Sequence, residues 1–337
     1  MADTALDWHD IRGSVEGKGY TDTERYYDRL PARAKGVVPD VVWGLSRTAT
    51  GMCAMFTTDA PEIHARWELL NDQIGEPNFP VAGFSGLDLY ADDNGTWKWA
   101  AAGHQVKDKH PECCLVNGLA EGLRSYRVYL PLRNPVESVV IGVPKGAHFS
   151  FVAPRSVRPV VFYGTSIVHG AYSSHPGIVH PSIIGRRIDR PVINLGFSGN
   201  AKMEESLAHL VAEIDASVYV IDALPNMDMT LVRERAEKFI RILCGKRPKT
   251  PVLLVEDRPY TNYWIRPNVK RSIEEKWAEF RRIYELLKHE GVGQLSYIEG
   301  RYLFGDDAEA SIDTSHPSDL GFMRMADVLT PVIRSLL

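Results

Sequence analysis

R-P-V-V-F-Y-G, Arg158 to Gly164, running on into T-S-I-V-H-G through Gly170, is the stretch on which the reading of this chain turns. Val160 to Tyr163 are four apolar residues without a break. A strand buried on both faces of a parallel sheet looks like this, whereas a half-buried strand alternates. The glycine that ends the run permits a sharp turn, so Ser166 falls just beyond the strand. The same grammar repeats downstream. Strands are expected at Pro191–Gly196, Val218–Asp222, Pro251–Asp257 and Gln294–Glu299. Helices are expected around Pro181–Ile188, Met203–Ile214, Leu231–Cys244, Lys270–Glu290 and Leu320–Leu336. Gly245 and Gly291 read as the glycines that follow a helix end. Alternating strands and helices imply right-handed crossovers and an open α/β sheet. In such a sheet the chemistry gathers at the carboxyl ends of the strands.

Upstream of about residue 155 the chain changes character. Ile63–Leu69 alternates apolar with polar or small residues, the period of a half-buried strand. Leu87–Ala100 reads as a hairpin, because Asn94-Gly95 supplies the positive φ that tight turns need. Tyr126–Leu132 and Ser138–Val143 add strands, and no amphipathic helix stands out between Ala60 and Phe151. Short strands with Gly, Pro and Asn between them point to an antiparallel sandwich. The expected division is residues 1–152 as a β-sandwich and 153–337 as the α/β unit. A length of 337 residues agrees with two domains, since a domain takes about 150.

Composition narrows the classes. Hydrophobic residues make up 44% and charged residues 24%, which excludes a disordered or fibrous chain. The 39 basic and 43 acidic residues give −4, with no basic excess to attract nucleic acid. No apolar run approaches the ~18 residues of a membrane span. The start, with early acids and no apolar core, is unlike a signal peptide, so the expectation is a cytoplasmic protein, or a secreted or periplasmic one if a leader was removed. Cys53, Cys113, Cys114 and Cys244 form no C-x-x-C pair and are expected to be free thiols. With neither H-x-x-x-H nor clustered carboxylates at the strand ends, no metal or other cofactor is expected. The nucleotide motifs G-x-x-x-x-G-K-[ST] and G-x-G-x-x-G are also missing.

Four blocks fall at successive strand ends: G-T-S-I-V-H-G (164–170), F-S-G-N (197–200), L-P-N (224–226) and, near the C-terminus, D-T-S-H-P (313–317). Each has an ordinary explanation by itself: a helix cap, a turn, a surface histidine. Together they offer a hydroxyl, a glycine N–H, an amide donor and a carboxylate three residues before an imidazole. Those are the parts of nucleophilic acyl transfer. G-x-S-x-G does not occur, since Val168 stands at its second glycine, so the usual α/β-hydrolase elbow is excluded.

In this order the blocks resemble those of the SGNH (GDSL-like) hydrolases over residues 157–337, and G-L-D-L-Y (86–90) looks like the small β domain found before one subgroup of them. The resemblance implies a flavodoxin-like, three-layer, doubly wound parallel sheet preceded by a jelly-roll-like antiparallel sandwich. It implies Ser166 as nucleophile, His316 as base and Asp313 as its partner. The oxyanion hole would comprise the Ser166 and Gly199 N–H groups and the Asn226 side chain. Thr165 replaces the family's usual Asp, and Leu224-Pro225-Asn226 replaces a G-x-N-D pattern. The activity implied is hydrolysis of small O-acyl esters, acetyl foremost, on a carbohydrate. A lipase, thioesterase or arylesterase, and a non-catalytic glycan-binding protein, are the alternatives. The expected partner is a small-molecule or oligosaccharide ester.

Further residues are candidates for contact with substrate: His169 and His175 near the nucleophile, Arg258 at the end of the fourth strand, and Tyr260 and Trp264 in the loop after it. For Trp97 and Trp99, on one face of the hairpin, a place in the sandwich core is preferred over a sugar-stacking platform. The β half is left with two further roles, a wall over the site or an oligomerisation surface.

Overall fold

The computed structural model of the chain describes residues 5–337; Met1–Thr4, the opening of the N-terminus read above as unlike a signal peptide, lie outside the described residues. Five parallel strands form the central sheet: β1 (Val160–Gly164), β2 (Val192–Gly196), β3 (Val218–Asp222), β4 (Pro251–Val255) and β5 (Gln294–Ile298). Their order is β2-β1-β3-β4-β5. This is the flavodoxin-like order, whose switch point lies between β1 and β3. β1, β2 and β3 are buried at every residue, as their runs, apolar but for Asn194 in β2 and Asp222 at the end of β3, require.

Helices cover both faces, and alternation along each strand divides the core in two. Val161, Tyr163, Leu195, Tyr219 and Leu254 pack against α3 (Glu205–Val211), α4 (Glu237–Lys246) and α5 (Pro267–His289). Val160, Phe162, Val218, Val220 and Leu253 pack against α1 (Ser166–His169), α2 (His180–Arg187) and α6 (Asp319–Ser335). α5 stops where expected, with Gly291 at φ +73°. Gly245 does not play that part. α4 continues through it to Lys246, and a π-type turn over Val232–Ala236 joins it to the helical residues before.

The first half is a sandwich of antiparallel sheets. One has the order Leu6–Asp10, Val136–Pro144, Glu62–Leu69, Glu112–Asn117. The other runs Phe149–Val152, Cys53–Thr58, Arg124–Tyr129, Leu87–Asp93, Thr96–Gly103, with Val15–Glu16 beside Cys53–Thr58. The hairpin turns at Asn94 (φ +53°) and Gly95 (φ +85°), and the only α-helix between Ala60 and Phe151 is the single turn Val81–Phe84. The four cysteines are free. No helix among the described residues is long and apolar enough to cross a membrane.

Strand type changes between Val152 and Val160, but packing does not respect that line. Tyr20, Leu30, Ala34, Val38 and Val42, from the segment between the strands Val15–Glu16 and Cys53–Thr58, are buried in the same core as β1, β2, α3 and α4. Arg29 fixes this crossing. Its guanidinium is fully buried and donates to Asn194 O (2.9 Å) and Gly196 O (2.8 Å) of β2, to Thr48 O (3.0 Å) and Leu45 O (2.6 Å), and to Thr48 Oγ1 (3.1 Å). A buried cation without an acid is expensive unless its N–H groups are satisfied. Here burial, and secondarily Arg133, push the Arg29 pKa down to about 9, so it remains charged at neutral pH.

Candidate active site

The turn after β1 is tight because two glycines admit it. A Cβ on Gly164 would lie 2.4 Å from Val168 Cγ2, and one on Gly196 would lie 2.2 Å from the His169 nitrogen. α1 therefore rests directly on the carboxyl edge of β1 and β2. Thr165 caps it, its hydroxyl accepting from Ile167 N–H at 3.3 Å. Ser166 stands at the first helical position, half-buried at the mouth of a cavity.

The D-T-S-H-P loop comes back across the sheet from 150 residues away. Ser166 Oγ lies 2.9 Å from His316 Nε2, and His316 Nδ1 lies 2.7 Å from Asp313 Oδ2. Asp313 Oδ1 accepts from the backbone N–H groups of Ser315 (2.9 Å) and His316 (2.7 Å). Burial acts to raise the Asp313 pKa, but the hydrogen bonds from His316 and Ser315 outweigh it and hold the carboxyl below its ordinary value. The loop includes Thr314 at φ +73° and is tied down from outside. Thr261 N–H donates to Thr314 O (2.9 Å), and Arg258 Nε donates to Ser315 O (2.9 Å). Tyr172 packs edge-on against the His316 ring, centroids 4.8 Å apart.

Ser166, Gly199 and Asn226 line the same cavity as His316. The Ser166 N–H, at the first position of α1, has no intrahelical acceptor. Gly199 sits at φ +70° in the loop after β2. Asn226 Oδ1 accepts from Ala201 N–H at 3.3 Å, which leaves the amide NH2 as the donor available to the cavity that Asn226 lines.

The cavity holds about 350 Å³ and its wall includes Phe79, Tyr172 and Tyr260 as well as the groups above. Among the substrate-contact candidates, Tyr260 lies in this wall. Trp264 does not; it is 71% exposed and lines a neighbouring groove with Tyr260 and Tyr263. His169 and Arg258 touch the cavity, but their polar atoms are committed elsewhere. His169 is 2% exposed, with Nε2 3.1 Å from Leu132 O and Nδ1 3.1 Å from Ser198 Oγ. A carbonyl only accepts, so the Nε2 carries the proton and the Nδ1 accepts from Ser198. Burial, then Arg29 and Arg133, hold the His169 pKa well below its usual value. His169 thus steadies the loop that carries Gly199. Arg258 is paired with Asp257 and holds Ser315, so it braces the His316 loop. His175 faces away from this cavity, toward Asp88.

Two charged residues of the cavity escaped sequence reading: Arg133 and Glu76, both from the antiparallel half. Nothing local marks them. R-N-P and G-E-P read as loop, and only the packing of the two halves brings them to Ser166. The tryptophans of the hairpin also differ from expectation. Trp99 is 55% exposed and stacks on His175 (4.9 Å) instead of entering the sandwich core, and Trp97 lies over Arg127. Among the described residues, the one group of three metal-type ligands, Glu62, His64 and Cys114, lies on the sandwich, not at the cavity.

Among curated proteins no sequence match was found. Among solved structures, a GDSL-like lipase from Bacteroides ovatus ATCC 8483 superposes with a TM-score of 0.93 at 29% identity, over 98% of each chain. The salicylyl-acyltransferase SsfX3 from a tetracycline biosynthetic pathway has a TM-score of 0.74 at 20% identity, over 99% of this chain and 96% of that one. A family two carbohydrate esterase from Clostridium thermocellum, in complex with cellohexaose, has a TM-score of 0.58 at 13% identity, over 85% and 92%. The last two likenesses are of fold. Residues 6–149 match the N-terminal domain of SGNH-hydrolase-type esterases, called GxDLY. Residues 157–334 match the GDSL-like lipase/acylhydrolase family, more than half of the chain, and the protein belongs to that family.

Proposed function

We propose that the protein is a serine esterase that removes small acyl groups, acetyl foremost, from a carbohydrate alcohol. One observation carries the reading: the unbroken series Ser166 Oγ, His316 Nε2, His316 Nδ1, Asp313 Oδ2, with hydrogen-bonding separations of 2.9 and 2.7 Å. His316 takes the Ser166 proton as Oγ bonds to the ester carbon. The carbonyl oxygen becomes an oxyanion held by the N–H groups of Ser166 and Gly199 and by the Asn226 amide. Collapse breaks the bond to the alcohol, which leaves with the proton from His316. Water then gives a proton to His316, attacks the acyl-enzyme, and frees the acid and Ser166. Asp313, kept ionised, orients the ring and stabilises its cationic form.

A cavity of about 350 Å³ suits a short acyl chain. The carbohydrate part rests on the aromatic wall of Phe79, Tyr172 and Tyr260 and on the carbohydrate esterase among the structural neighbours. Acetate release from an acetylated oligosaccharide panel and from p-nitrophenyl acetate tests the reading. Ser166→Ala is expected to lower kcat by ~10⁴–10⁶, and Asn226→Ala by ~10²–10³. Equal rates for wild type and Ser166→Ala would refute it, and a preference for acyl chains beyond about six carbons would replace deacetylation with lipase-type hydrolysis.

A further inference from the structure

Arg133 is held with unusual completeness in its backbone and not at all in its side chain. Leu132 O accepts from Thr50 Oγ1 (2.7 Å) and His169 Nε2 (3.1 Å), Leu132 N–H donates to Gly83 O (3.3 Å), and Arg133 N–H donates to Phe84 O (3.0 Å). The next residue, Asn134, is fully buried and its side chain meets Asn71, Gln73 and Ser85. The guanidinium that this segment delivers to the wall of the cavity has no hydrogen bond or ion pair among the described residues. A half-buried arginine fixed at its base and unpaired at its head is a preorganised fork for a carboxylate.

The surroundings add to that preference. Arg29 is a second cation behind the same loops, donating only to carbonyl and hydroxyl oxygens. It is near enough to Arg133 for the Arg133 charge to help lower the Arg29 pKa. Arg258 is neutralised by Asp257, and the ionised Asp313 is held by the His316 ring and by the backbone N–H groups of Ser315 and His316. Against Arg29 and Arg133 stands one acid of the cavity wall, Glu76, which also has no side-chain partner among the described residues. Arg133 is thus the cation of the cavity wall that no acid pairs with among the described residues.

We propose that the cavity beside Ser166 takes an ester that also bears a carboxylate, and that Arg133, contributed by the antiparallel half, is the residue that reads this charge. The proposal rests on the esterase reading for what happens to the ester, but the subsite itself does not depend on turnover. The carboxylate could belong to the acyl part, as in a hemiester of a dicarboxylic acid, or to the alcohol, as in an acetylated uronic acid.

The test separates these. Calorimetry on the Ser166→Ala protein measures binding of two ester pairs: monomethyl succinate against methyl succinamate, and O-acetyl glucuronic acid against its O-acetyl glucuronamide. The acid of at least one pair should bind about tenfold or more tightly than its amide, as a charge-assisted pair implies. The pair that shows it locates the carboxylate. In Ser166→Ala with Arg133→Gln that ratio should fall to near one, and Arg133→Lys should restore part of it. Amides bound as tightly as acids in both pairs, or a ratio unchanged by Arg133→Gln in a protein of unaltered melting temperature, would overturn the proposal. Wild-type turnover of the same pairs then reports on the esterase reading alone: charge-selective binding with no hydrolysis would sink that reading and leave the subsite standing.

Discussion

Asp222 closes β3 beneath the switch point with its Oδ2 buried and unpartnered among the described residues. Burial, and then the neighbouring Asp257, raise its pKa to about 7, with Arg258 opposing. A carboxyl whose folded pKa lies above its unfolded value binds its proton more tightly in the native state. Its burial therefore costs nothing below the unfolded value of 3.8, and stability is lost as pH rises toward and through about 7. Asp222→Asn should melt several degrees higher than wild type at pH 8 and gain little at pH 4, by thermal unfolding. Equal differences at both pH values would contradict the assignment. At this scale the sequence was informative about the candidate groups that line the cavity and silent about the side chains that brace them. Ser166, His316, Asp313 and Asn226 sit in the segments that follow strands, where spacing and residue type speak. His169 and Arg258 had the right neighbourhood, but their partners Leu132, Ser198 and Ser315 are set by tertiary contact, so a ligand role could not be told from a bracing one.

At the scale of elements, the G-L-D-L-Y segment acquires a physical meaning. Asp88, on the strand Leu87–Asp93, is completely buried. Its carboxylate accepts from Trp99 Nε1 (2.6 Å), His175 Nδ1 (2.6 Å) and Gly177 N–H (2.7 Å). Two of these donors belong to the loop that leaves α1 and carries Tyr172 to the His316 ring. One carboxylate thus joins the hairpin of the sandwich to the loop that walls the cavity. Asp88→Ala would strand three donors and should cost about 3 kcal/mol of stability. It should also lower kcat/KM about tenfold by loosening Tyr172, about 1.4 kcal/mol in transition-state terms. Unfolding curves and kinetics on one preparation check both, and a variant as stable as wild type would contradict the clamp. The clamp also explains the misplaced tryptophans. Period two puts Trp97 and Trp99 on one face, but cannot say whether that face meets the sandwich core or the second half of the chain. The predominantly apolar runs of β1, β2 and β3 have no such ambiguity, because both faces of those strands are covered.

At the scale of the whole molecule, the two halves share their cores. Tyr20, Leu30, Ala34, Val38 and Val42 complete the layer over β1 and β2, and Arg29 ties that segment to β2. A protein cut to residues 153–337 would expose the face these residues cover. It is expected to be aggregated or molten, whereas the full chain should unfold in one transition. A soluble fragment with a cooperative melt would show that the segment is dispensable. Sequence reading expects the change of architecture near residue 155, since strand periodicity is local. The return of residues 20–42 to the second core escaped it, because a short apolar cluster carries no mark of the sheet it will meet.

The central claim is that Ser166 is made nucleophilic by His316. Intact-protein and peptide mass spectrometry after treatment with a fluorophosphonate measures this directly. One adduct is expected, on Ser166, absent in Ser166→Ala and formed at least about a hundredfold more slowly in His316→Ala. An adduct on another residue, or labelling of Ser166 at the same rate without the imidazole, would contradict it.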